Sequence, residues 1–473
     1  MNRFDAIIVG AGPAGIFAAL ELLKHEPKAR IAILERGRLV KDRACPKSRT
    51  IKCVHCKPCG ITTGVGGAGT FSDGKLSLSP EVGGRMTDYI GESNTKELIE
   101  YVDNVYLEHG GNKTVYYDED FAQKVDIQAR SYGLKLIKCP IRHLGTENSA
   151  RIMDELYRKI ASHPNIFFKT NTFVKHLDVK QGEVKGVLLE KATEIDNHRF
   201  ANLYSENVIV AVGRSGSNWL YEECKRQSVK LKNNEIDIGV RVELPRYITD
   251  NITDKLYEFK LIHYSNTFED KVRTFCMNPG GFVSQENYDD GLALVNGHCY
   301  DKVKSDNTNF ALLVSSQYHE PFDDPISYGK YIAKLANMLT GGGIMVQRLE
   351  DIKKGRKTTY ERLKRAYLTP TLKDAVPGDL CSVLPYRHMM AILETLEVMD
   401  NICPGIYGKD TLLYGIEAKF YSSRVEVDKN LQSQIKGLYF VGDGAGITRG
   451  VIQASISGVV AARSIIGKQI STK

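Results

Sequence analysis

The sequence lacks the features that mark membrane-spanning, secreted or repetitive proteins. No apolar run approaches the roughly 18 residues that a bilayer-spanning helix needs, and neither internal repeats nor low-complexity tracts occur. A strand-like run follows the N-terminus so closely that no signal peptide fits, so we expect a cytoplasmic protein with no membrane partner. Ten cysteines in 473 residues are too few for a disulfide scaffold. The formal charge of +7 is too small to indicate a nucleic-acid partner by itself, and the length allows two or three domains.

The first 35 residues carry a dinucleotide-binding pattern. An apolar strand precedes the loop Gly10-Ala11-Gly12-Pro13-Ala14-Gly15, a helical segment follows the loop, and the next strand-like run ends on Glu35. In this pattern the first glycine permits a tight turn, the second lets a pyrophosphate approach the backbone, and the third lets the helix pack on the strand. The helix N-terminus faces the phosphates, and the acid accepts hydrogen bonds from an adenosine ribose. The predicted dinucleotide-binding residues are Gly10, Gly12, Pro13, Ala14, Gly15, Glu35 and Arg36.

A second glycine-rich segment covers residues 64–75, where five of the twelve positions are glycine. Such a run forms neither a stable helix nor a central strand, because glycine loses the most backbone entropy on folding. Apolar residues such as Phe71 and Leu76 indicate that the loop is anchored. We predict that it wraps a cofactor through Gly66, Gly67, Ala68, Gly69, Thr70, Ser72, Asp73 and Gly74.

Two later strands are predicted to complete the same sheet. Residues 208–212 form a buried-type strand followed by glycine, and residues 437–442 form another that leads into an acid and then an apolar helix. Uninterrupted apolar strands of this kind belong in a parallel sheet covered by helices. We predict cofactor contacts from Gly213, Gly442, Asp443, Gly450 and Val451.

In this order the motifs resemble those of two-dinucleotide-binding-domain flavoproteins of the glutathione-reductase type, in which an acid at the position of Asp443 binds the ribityl chain of FAD. A narrower resemblance covers nearly the whole chain and is to the bacterial uncharacterised FAD-dependent dehydrogenase family. It rests on residues 66–76, 142–146, 275–281 and 442–450. More distantly, the chain is similar to fumarate-reductase flavin subunits and to a family of which some members reduce bases in RNA. These resemblances imply FAD and a redox reaction and supply no substrate.

The fold class that we predict is α/β. A discontinuous, Rossmann-like FAD-binding domain with a parallel sheet and helices is expected at 1–236 and 405–473, including a cysteine-rich loop at 45–59. An α+β substrate domain is expected as an insertion at 237–404, where the sequence consists of short strand-like runs and helical segments.

The cysteine-rich loop has three interpretations. Four thiols at close spacing suit zinc or an iron–sulfur cluster, both of which take sulfur ligands. A C-x-x-C pair within the loop also suits a redox dithiol. The third interpretation is a set of reduced cysteines without metal. The candidate metal ligands are Cys45, Cys53, Cys56 and Cys59.

Four residues are candidates for the chemistry. His143 follows Arg142 in a loop before a helix, where the imidazole could protonate a substrate and the guanidinium could hold an anion. Lys75 and Arg449 lie in glycine-rich loops expected near the flavin ring, where a positive charge stabilises the reduced anion. Many relatives carry a second glycine pair where this chain has Arg449.

The leading hypothesis is an FAD-dependent oxidoreductase that transfers hydride between flavin and a small organic molecule, across a C=C or C–N bond. Because only one dinucleotide fingerprint occurs, the electron partner is expected to be NAD(P)H bound transiently or a ferredoxin-like protein. One alternative is a flavin-dependent RNA-modifying enzyme, supported by a basic run at 353–365. The other is an electron-transfer or redox-sensing protein that uses the cysteine cluster.

Overall fold

The structure, a computed structural model, describes residues 2–46, 54, 56–72, 74–287, 291–300, 303–318, 321–322, 324–420 and 423–467. The strands are β1 Ala6–Val9, β2 Ile31–Leu34, β3 Lys75–Ser77, β4 Val115–Tyr116, β5 Leu134–Ile137, β6 Ile141–His143, β7 Ile166–Lys169, β8 Val174–Lys180, β9 Glu183–Ile195, β10 His198–Tyr204, β11 Val208–Val210, β12 Leu231–Lys232, β13 Ile236–Pro245, β14 Lys260–Tyr264, β15 Lys271–Pro279, β16 Phe282–Asn287, β17 Ala293–His298, β18 Asn307–Ser316, β19 Met345–Arg348, β20 Val376–Pro377, β21 Leu412–Lys419, β22 Arg424–Val425 and β23 Leu438–Phe440. The α-helices are α1 Pro13–His25, α2 Met86–Ile90, α3 Glu92–Glu108, α4 Glu119–Ser131, α5 Thr146–Ala161, α6 Ser217–Arg226, α7 Asp250–Leu256, α8 Pro325–Leu339, α9 Leu349–Lys353, α10 Tyr360–Lys364, α11 Tyr386–Met399 and α12 Val451–Ile465. Short 3-10 helices cover Val40–Asp42, Ala68–Phe71, Arg214–Gly216, Arg246–Ile248, Leu380–Ser382 and Asp443–Ala445.

The chain divides into two compact units. Unit 1 consists of residues 1–115, 142–234 and 422–473, and unit 2 consists of residues 116–141 and 235–421. The predicted insertion at 237–404 lies within unit 2, which also takes residues 116–141, 235–236 and 405–421 from the predicted FAD-binding domain. The first difference arises because β5 pairs with β14 at the edge of the sheet of unit 2. The last arises because β21 pairs with β13 and β19 in the same sheet.

A five-stranded parallel sheet forms the centre of unit 1, in the order β23-β11-β1-β2-β7. Every residue of β1, β2, β11 and β23 is buried, which is why these strands are uninterrupted apolar runs. The α/β class and the prediction that the first and last strands share one sheet are confirmed. In parallel strands the carboxyl ends meet at one edge, so the loops after β1, β11 and β23 lie together.

Helices α1 and α12 pack against each other through small residues. A Cβ atom at Gly458 in α12 would overlap the backbone carbonyl oxygen of Ala14 in α1. The backbones of the two helices therefore contact each other directly, and the helix after the first strand is held against the helix after the last strand.

Unit 2 is built on an eight-stranded, mainly antiparallel sheet in the order β20-β19-β21-β13-β18-β15-β14-β5. Its central strand β13 pairs with β18 from Ile236↔Ser316 to Pro245↔Asn307. Alternate residues of β13 contribute to an apolar core, and three of the intervening residues are charged and buried, namely Asp237, Arg241 and Glu243. A separate hairpin, β16-β17, belongs to the same unit.

A buried ion-pair cluster in unit 2 joins β13 to β21. Arg241 Nε and Nη2 donate to the two carboxylate oxygens of Glu417 at 2.7 and 2.8 Å, and Lys419 Nζ lies 2.8 Å from the same carboxylate. Burial alone would raise the pKa of Glu417, but Arg241 and Lys419 hold it below its usual value. Within the described ranges, no helix combines the length and apolarity needed to cross a membrane.

Candidate functional site

The loop after β1 has the geometry that its sequence predicts. Gly10 has φ +106°, and a Cβ there would overlap the carbonyl oxygen of Ala211. A Cβ at Gly15 would overlap the carbonyl oxygen of Gly10. Gly12 differs, because its φ is −76° and a Cβ there would have only Gly67 Cα, at 3.8 Å, within 4 Å. Two of the glycines are therefore required by close packing, whereas the third leaves space beside the loop.

Helix α1 begins directly at this space. Pro13 is its first residue, and Gly12 at the N-cap provides no side chain to cap the first turn. Uncapped N–H groups and the positive end of the helix dipole favour an anion such as a phosphate. The arrangement meets the geometric requirement of a pyrophosphate site.

The carboxylate of Glu35 is buried and holds the surrounding backbone. Its Oε2 accepts a hydrogen bond from Ala11 N at 2.8 Å, and its Oε1 accepts one from Gly37 N at 2.7 Å. A carboxylate oxygen can accept more than one hydrogen bond, so these contacts leave acceptor capacity for a ribose. Neighbouring Arg36 reaches the hydroxyl of Thr63 at 3.3 Å.

The second glycine-rich loop packs on the first. Gly66 N donates to Ala11 O at 2.8 Å, and a Cβ at Gly67, whose φ is +65°, would lie 3.3 Å from both Gly12 Cα and Pro13 Cδ. Further along the loop, a Cβ at Gly69 would lie 3.0 Å from Val451 Cγ2, at the start of α12. The loop thus runs between the N-termini of α1 and α12.

Arg43 organises this second loop, and sequence reasoning missed it. Its Nε donates to Gly60 O at 2.9 Å, its Nη1 to Val65 O at 2.6 Å, and its Nη2 to Ile61 O at 2.5 Å and Gly67 O at 2.9 Å. Burial lowers the pKa of Arg43 to about 10, against the opposing effect of Glu35 and Cys59.

The hydroxyl of Thr70 also accepts from Arg43 Nη1, at 3.1 Å. In the sequence Arg43 lies in a basic, loop-like stretch that looks solvated, and its acceptors are backbone carbonyls, which leave no sequence signal.

Two predicted cofactor ligands in this loop serve the loop itself. The side chain of Thr70 is fully buried against Arg43, and Ser72 Oγ donates to Gly69 O at 2.8 Å while accepting from Gly74 N at 3.2 Å. Their hydroxyls fix the loop geometry, and the predicted contacts of Thr70 and Ser72 with a cofactor stay predictions. Asp73 lies outside the described residues.

The loops after β11 and β23 meet at the same edge of the sheet. Gly213 and Gly442 have φ of +62° and +76°, and a Cβ at Gly444 would lie 2.5 Å from Gly213 O. Asp443 Oδ1 accepts from the hydroxyl of Thr448 at 2.7 Å, and its Oδ2 lies 3.7 Å from Arg214 Nε. Burial raises the pKa of Asp443, against the opposing effects of Arg214 and Thr448.

Helix α12 begins at Val451, beside these loops. Gly450 occupies its N-cap and provides no side-chain cap. A Cβ at Gly442 would lie 3.3 Å from Ala14 Cβ, which places the loop after β23 next to the first turn of α1. Two helix N-termini without side-chain caps therefore belong to one group of loops.

A further segment, residues 80–86, joins this group and was missed. Gln453 Nε2 donates to Val82 O at 2.9 Å, and its Oε1 accepts from Met86 N at 3.2 Å. Arg449 N donates to Gly83 O at 2.7 Å. The partners are separated by more than 360 positions, so no local pattern in the sequence indicates the contact.

The structure corrects the predicted role of Arg142. This buried side chain makes a bidentate ion pair with Asp103, with both N–O distances at 2.7 Å, and its Nη1 donates to Asn112 O at 2.6 Å. Its guanidinium is committed to these partners and does not present an anion site. His143 is next in β6 and is partly buried, and Leu144 N donates to Gly74 O at 2.9 Å. Lys75 begins β3, one residue after Gly74.

The predicted metal site gains no support. In the part of the chain that the structure describes, no group of three or more His, Cys, Asp or Glu side chains is placed to hold a metal ion. Cys53 lies outside the described residues, and Cys45, Cys56 and Cys59 are partly buried. Neither the zinc nor the iron–sulfur interpretation is supported by the geometry.

Taken residue by residue, unit 1 fits an FAD. Backbone segments around Gly12, Gly67, Gly213, Gly442 and Gly450 converge at one sheet edge. Gly12 and Gly213 leave space where a Cβ would meet little or nothing within 4 Å.

Comparisons with known proteins point in the same direction. Residues 235–420 match the family model described as "FAD-dependent protein, C-terminal domain-like". A protein of Clostridium beijerinckii described as an uncharacterized protein is 27% identical over 483 residues, an alignment that covers 98% of this chain and 80% of that protein.

Two solved structures are also similar. A mutated E. coli quinol fumarate reductase FrdA has a TM-score of 0.40 at 13% identity, covering 98% of this chain and 70% of that one. Glycine oxidase from Geobacillus kaustophilus has a TM-score of 0.38 at 12% identity, covering 99% of this chain and 96% of that one. Similarities at this level assign neither a detailed fold nor a function.

Proposed function

We propose that the chain is an FAD-dependent oxidoreductase and that unit 1 holds the cofactor. The observation that carries the proposal is the convergence of three glycine-containing loops on two helix N-termini that have no side-chain caps. The match of residues 235–420 to an FAD-dependent family model supports the FAD-dependent class independently.

Different residues would hold different parts of FAD. Gly12 and Gly67, with the first turn of α1, would admit the pyrophosphate, because no side chain stands between the backbone and that space. Glu35 would accept hydrogen bonds from the adenosine ribose, and Asp443 from the ribityl chain. Arg43 would act indirectly by fixing the loop that carries Gly67.

The reaction class that we propose is the oxidation or reduction of a C=C or C–N bond in a small organic substrate. FAD, when bound, supplies the hydride or electron transfer. The chain itself would place the substrate and handle the proton, for which His143 is the proposed group. The substitution His143→Asn should leave the flavin content unchanged and remove one ionisation from the pH profile of turnover. An unchanged profile would exclude His143 as the group that handles the proton.

The substitution Gly12→Ala tests cofactor binding without threatening the fold. Its φ of −76° suits alanine and the new methyl group has space, so the variant should fold with an unchanged melting temperature in the absence of FAD. The methyl group would instead occupy the position of the pyrophosphate. We expect at least a tenfold loss of bound flavin, measured after acid release by absorbance and identified as FAD by mass.

The matched control is Gly343→Ala. Its Cβ would make ordinary contacts, 3.6 Å from Thr340 O and 3.9 Å from Val376 Cγ2, and it lies in unit 2. The control should retain its full flavin content. The proposal fails if the wild-type protein, supplied with FAD, binds none, or if Gly12→Ala binds FAD as tightly as the control.

The source of electrons is a separate question with its own experiment. Since the sequence has one dinucleotide fingerprint, we propose that the reductant is exchanged from solution, as NAD(P)H or a ferredoxin-like protein. Anaerobic titration with NADH, NADPH and reduced ferredoxin, followed by bleaching of the flavin absorbance, distinguishes these partners. If none of the three reduces the flavin, both NAD(P)H and a ferredoxin-like protein are excluded as the reductant.

A further inference from the structure

A strongly basic surface with exposed aromatic rings lies in unit 2, in residues 353–367, here called the basic segment. It carries seven lysines and arginines against a single acid, Glu361. Tyr360 is 59% exposed and Tyr367 is 88% exposed. Both rings are therefore largely accessible to a ligand from the solvent.

Part of this charge is neutralised within the protein, and part is not. Lys354 pairs with Glu350, and Arg356 Nε lies 2.8 Å from Asp351 Oδ1. Among the described residues, the other exposed cations have no ion pair within 4 Å, and these are Lys353, Lys357, Lys364 and Arg365. Glu361 is the one acid of the segment, so a positive excess remains at the surface.

The backbone of the basic segment is held in place. Thr358 Oγ1 donates to Asp351 Oδ2 and accepts from Arg348 N, at 2.8 and 2.9 Å. Arg348 Nη1 also donates to Arg362 O at 3.3 Å, and Leu363 packs against the small apolar cluster of unit 2. The exposed side chains therefore project from a fixed loop and a short helix, which limits the entropy lost when a partner binds.

Neighbouring aromatic rings carry cations as well. Lys409 Nζ lies 5.4 Å from the ring centre of Tyr367, and Lys353 Nζ lies 3.9 Å from that of Tyr407. Ammonium groups beside the exposed ring of Tyr367 and the partly buried ring of Tyr407 match a ligand that alternates negative charge with flat apolar faces. Single-stranded nucleic acid has this character, because its phosphates pair with cations and its unpaired bases stack on aromatic side chains.

We propose that the basic segment is a docking surface for single-stranded nucleic acid. An anionic bilayer would also attract the charge, but insertion into it needs exposed apolar groups such as Trp, Phe or Leu side chains. The two neighbouring leucines do not supply them, because Leu363 within the segment packs against an apolar cluster and Leu368 just after it is 3% exposed. The proposal stands on unit 2 alone and does not depend on flavin binding.

The test uses the full-length protein and fluorescein-labelled oligo-U, oligo-dT and a DNA duplex of equal length, with anisotropy measured over a range of salt concentrations. The test variant is Lys357→Gln/Lys364→Gln/Arg365→Gln. Wild type should bind both single strands more tightly than the duplex. Loss of three phosphate contacts should lower the steepness of log K against log salt by about 2, since each contact contributes about 0.7. The variant Tyr367→Ala should weaken binding about tenfold with little change in that steepness.

The matched control removes the same charge elsewhere, in Lys28→Gln/Lys175→Gln/Lys191→Gln, whose three lysines are exposed in unit 1. It should bind like wild type, and all variants should keep their flavin content and melting temperature. The proposal is overturned if wild type binds no oligonucleotide at low salt, or if the control weakens binding as much as the test variant. Binding to phosphatidylglycerol vesicles that needs the basic segment, without binding of oligonucleotides, would also overturn it and assign the surface to a membrane.

Discussion

The buried guanidinium of Arg43 allows a direct test of what stabilises the second glycine-rich loop. It donates to four backbone carbonyls and to the hydroxyl of Thr70. The substitution Arg43→Met keeps an unbranched apolar stem and removes every donor, so five acceptors lose the guanidinium at once. At about 1 kcal/mol for each net hydrogen bond the loss would be about 5 kcal/mol. Part of this loss is offset, because the variant no longer buries the positive charge of Arg43.

We therefore expect Arg43→Met to lower the free energy of unfolding by about 3 kcal/mol. Because the entropy of unfolding scales with chain length, this corresponds to a fall in melting temperature of roughly 3–6 °C. Scanning calorimetry on the FAD-free protein measures this directly. Hydrogen exchange should show faster exchange at the amides of Val65, Gly66 and Gly67, whose positions depend on the loop. FAD, added back and followed by flavin fluorescence, should bind more weakly, because the loop with Gly67 no longer has one geometry.

The control is Arg43→Lys, which retains the charge but replaces a planar fork with a point donor. An ammonium group cannot reach five acceptors spread around a guanidinium, so this variant should fall between wild type and Arg43→Met. The reasoning is refuted if Arg43→Met melts within about 1 °C of wild type and exchanges no faster at Gly67. Unchanged FAD affinity with a lowered melting temperature would refute only the link from the loop to the cofactor.

Three further predictions concern single buried contacts. Burial lowers the pKa of His388 to about 4 from the usual 6.5, so the unfolded chain takes up the proton first and stability falls as pH drops from 6.5 towards 4. Urea titrations should show that wild type loses about 3 kcal/mol over this pH range and that His388→Leu does not. Glu417→Gln leaves Arg241 buried without its carboxylate and should cost about 3–5 kcal/mol in urea, whereas replacing both residues by apolar ones should cost less. Gly458→Ala forces α1 and α12 apart and should lower the free energy of unfolding by about 1–3 kcal/mol, measured by thermal unfolding. It should also cause loss of bound FAD, and unchanged FAD content would show that the effect is only local.

Local patterns predicted the parts of the fold that depend on neighbouring residues. The apolar runs of β1, β11 and β23 and the glycines after β1 follow from rules about adjacent positions, and the parallel sheet they predict is confirmed. The parts that escaped prediction depend on distant partners. Arg142 looked like an anion-binding residue because Asp103, 39 positions earlier, gave no sign of being its partner.

The boundary between the units escaped for a similar reason. Residues 116–141 carry an ordinary helix and a four-residue strand, and nothing in their pattern says which sheet the strand will join. Pairing of β5 with β14 decides it, through residues more than 120 positions apart. Arg43 shows the limit most clearly, since its acceptors are mainly backbone carbonyls and any sequence supplies those.

The contact between α1 and α12 has a consequence for the time at which the protein becomes functional in the cell. A ribosome produces α1 long before the helix that covers its small-residue face, which begins at Val451. At 5–20 residues per second, about 20–90 s of synthesis separate the two. Throughout that interval the first glycine loop exists without the strand and helix that complete its surroundings. Nascent chains stalled before β23 should therefore retain no FAD, whereas chains that include α12 should bind it.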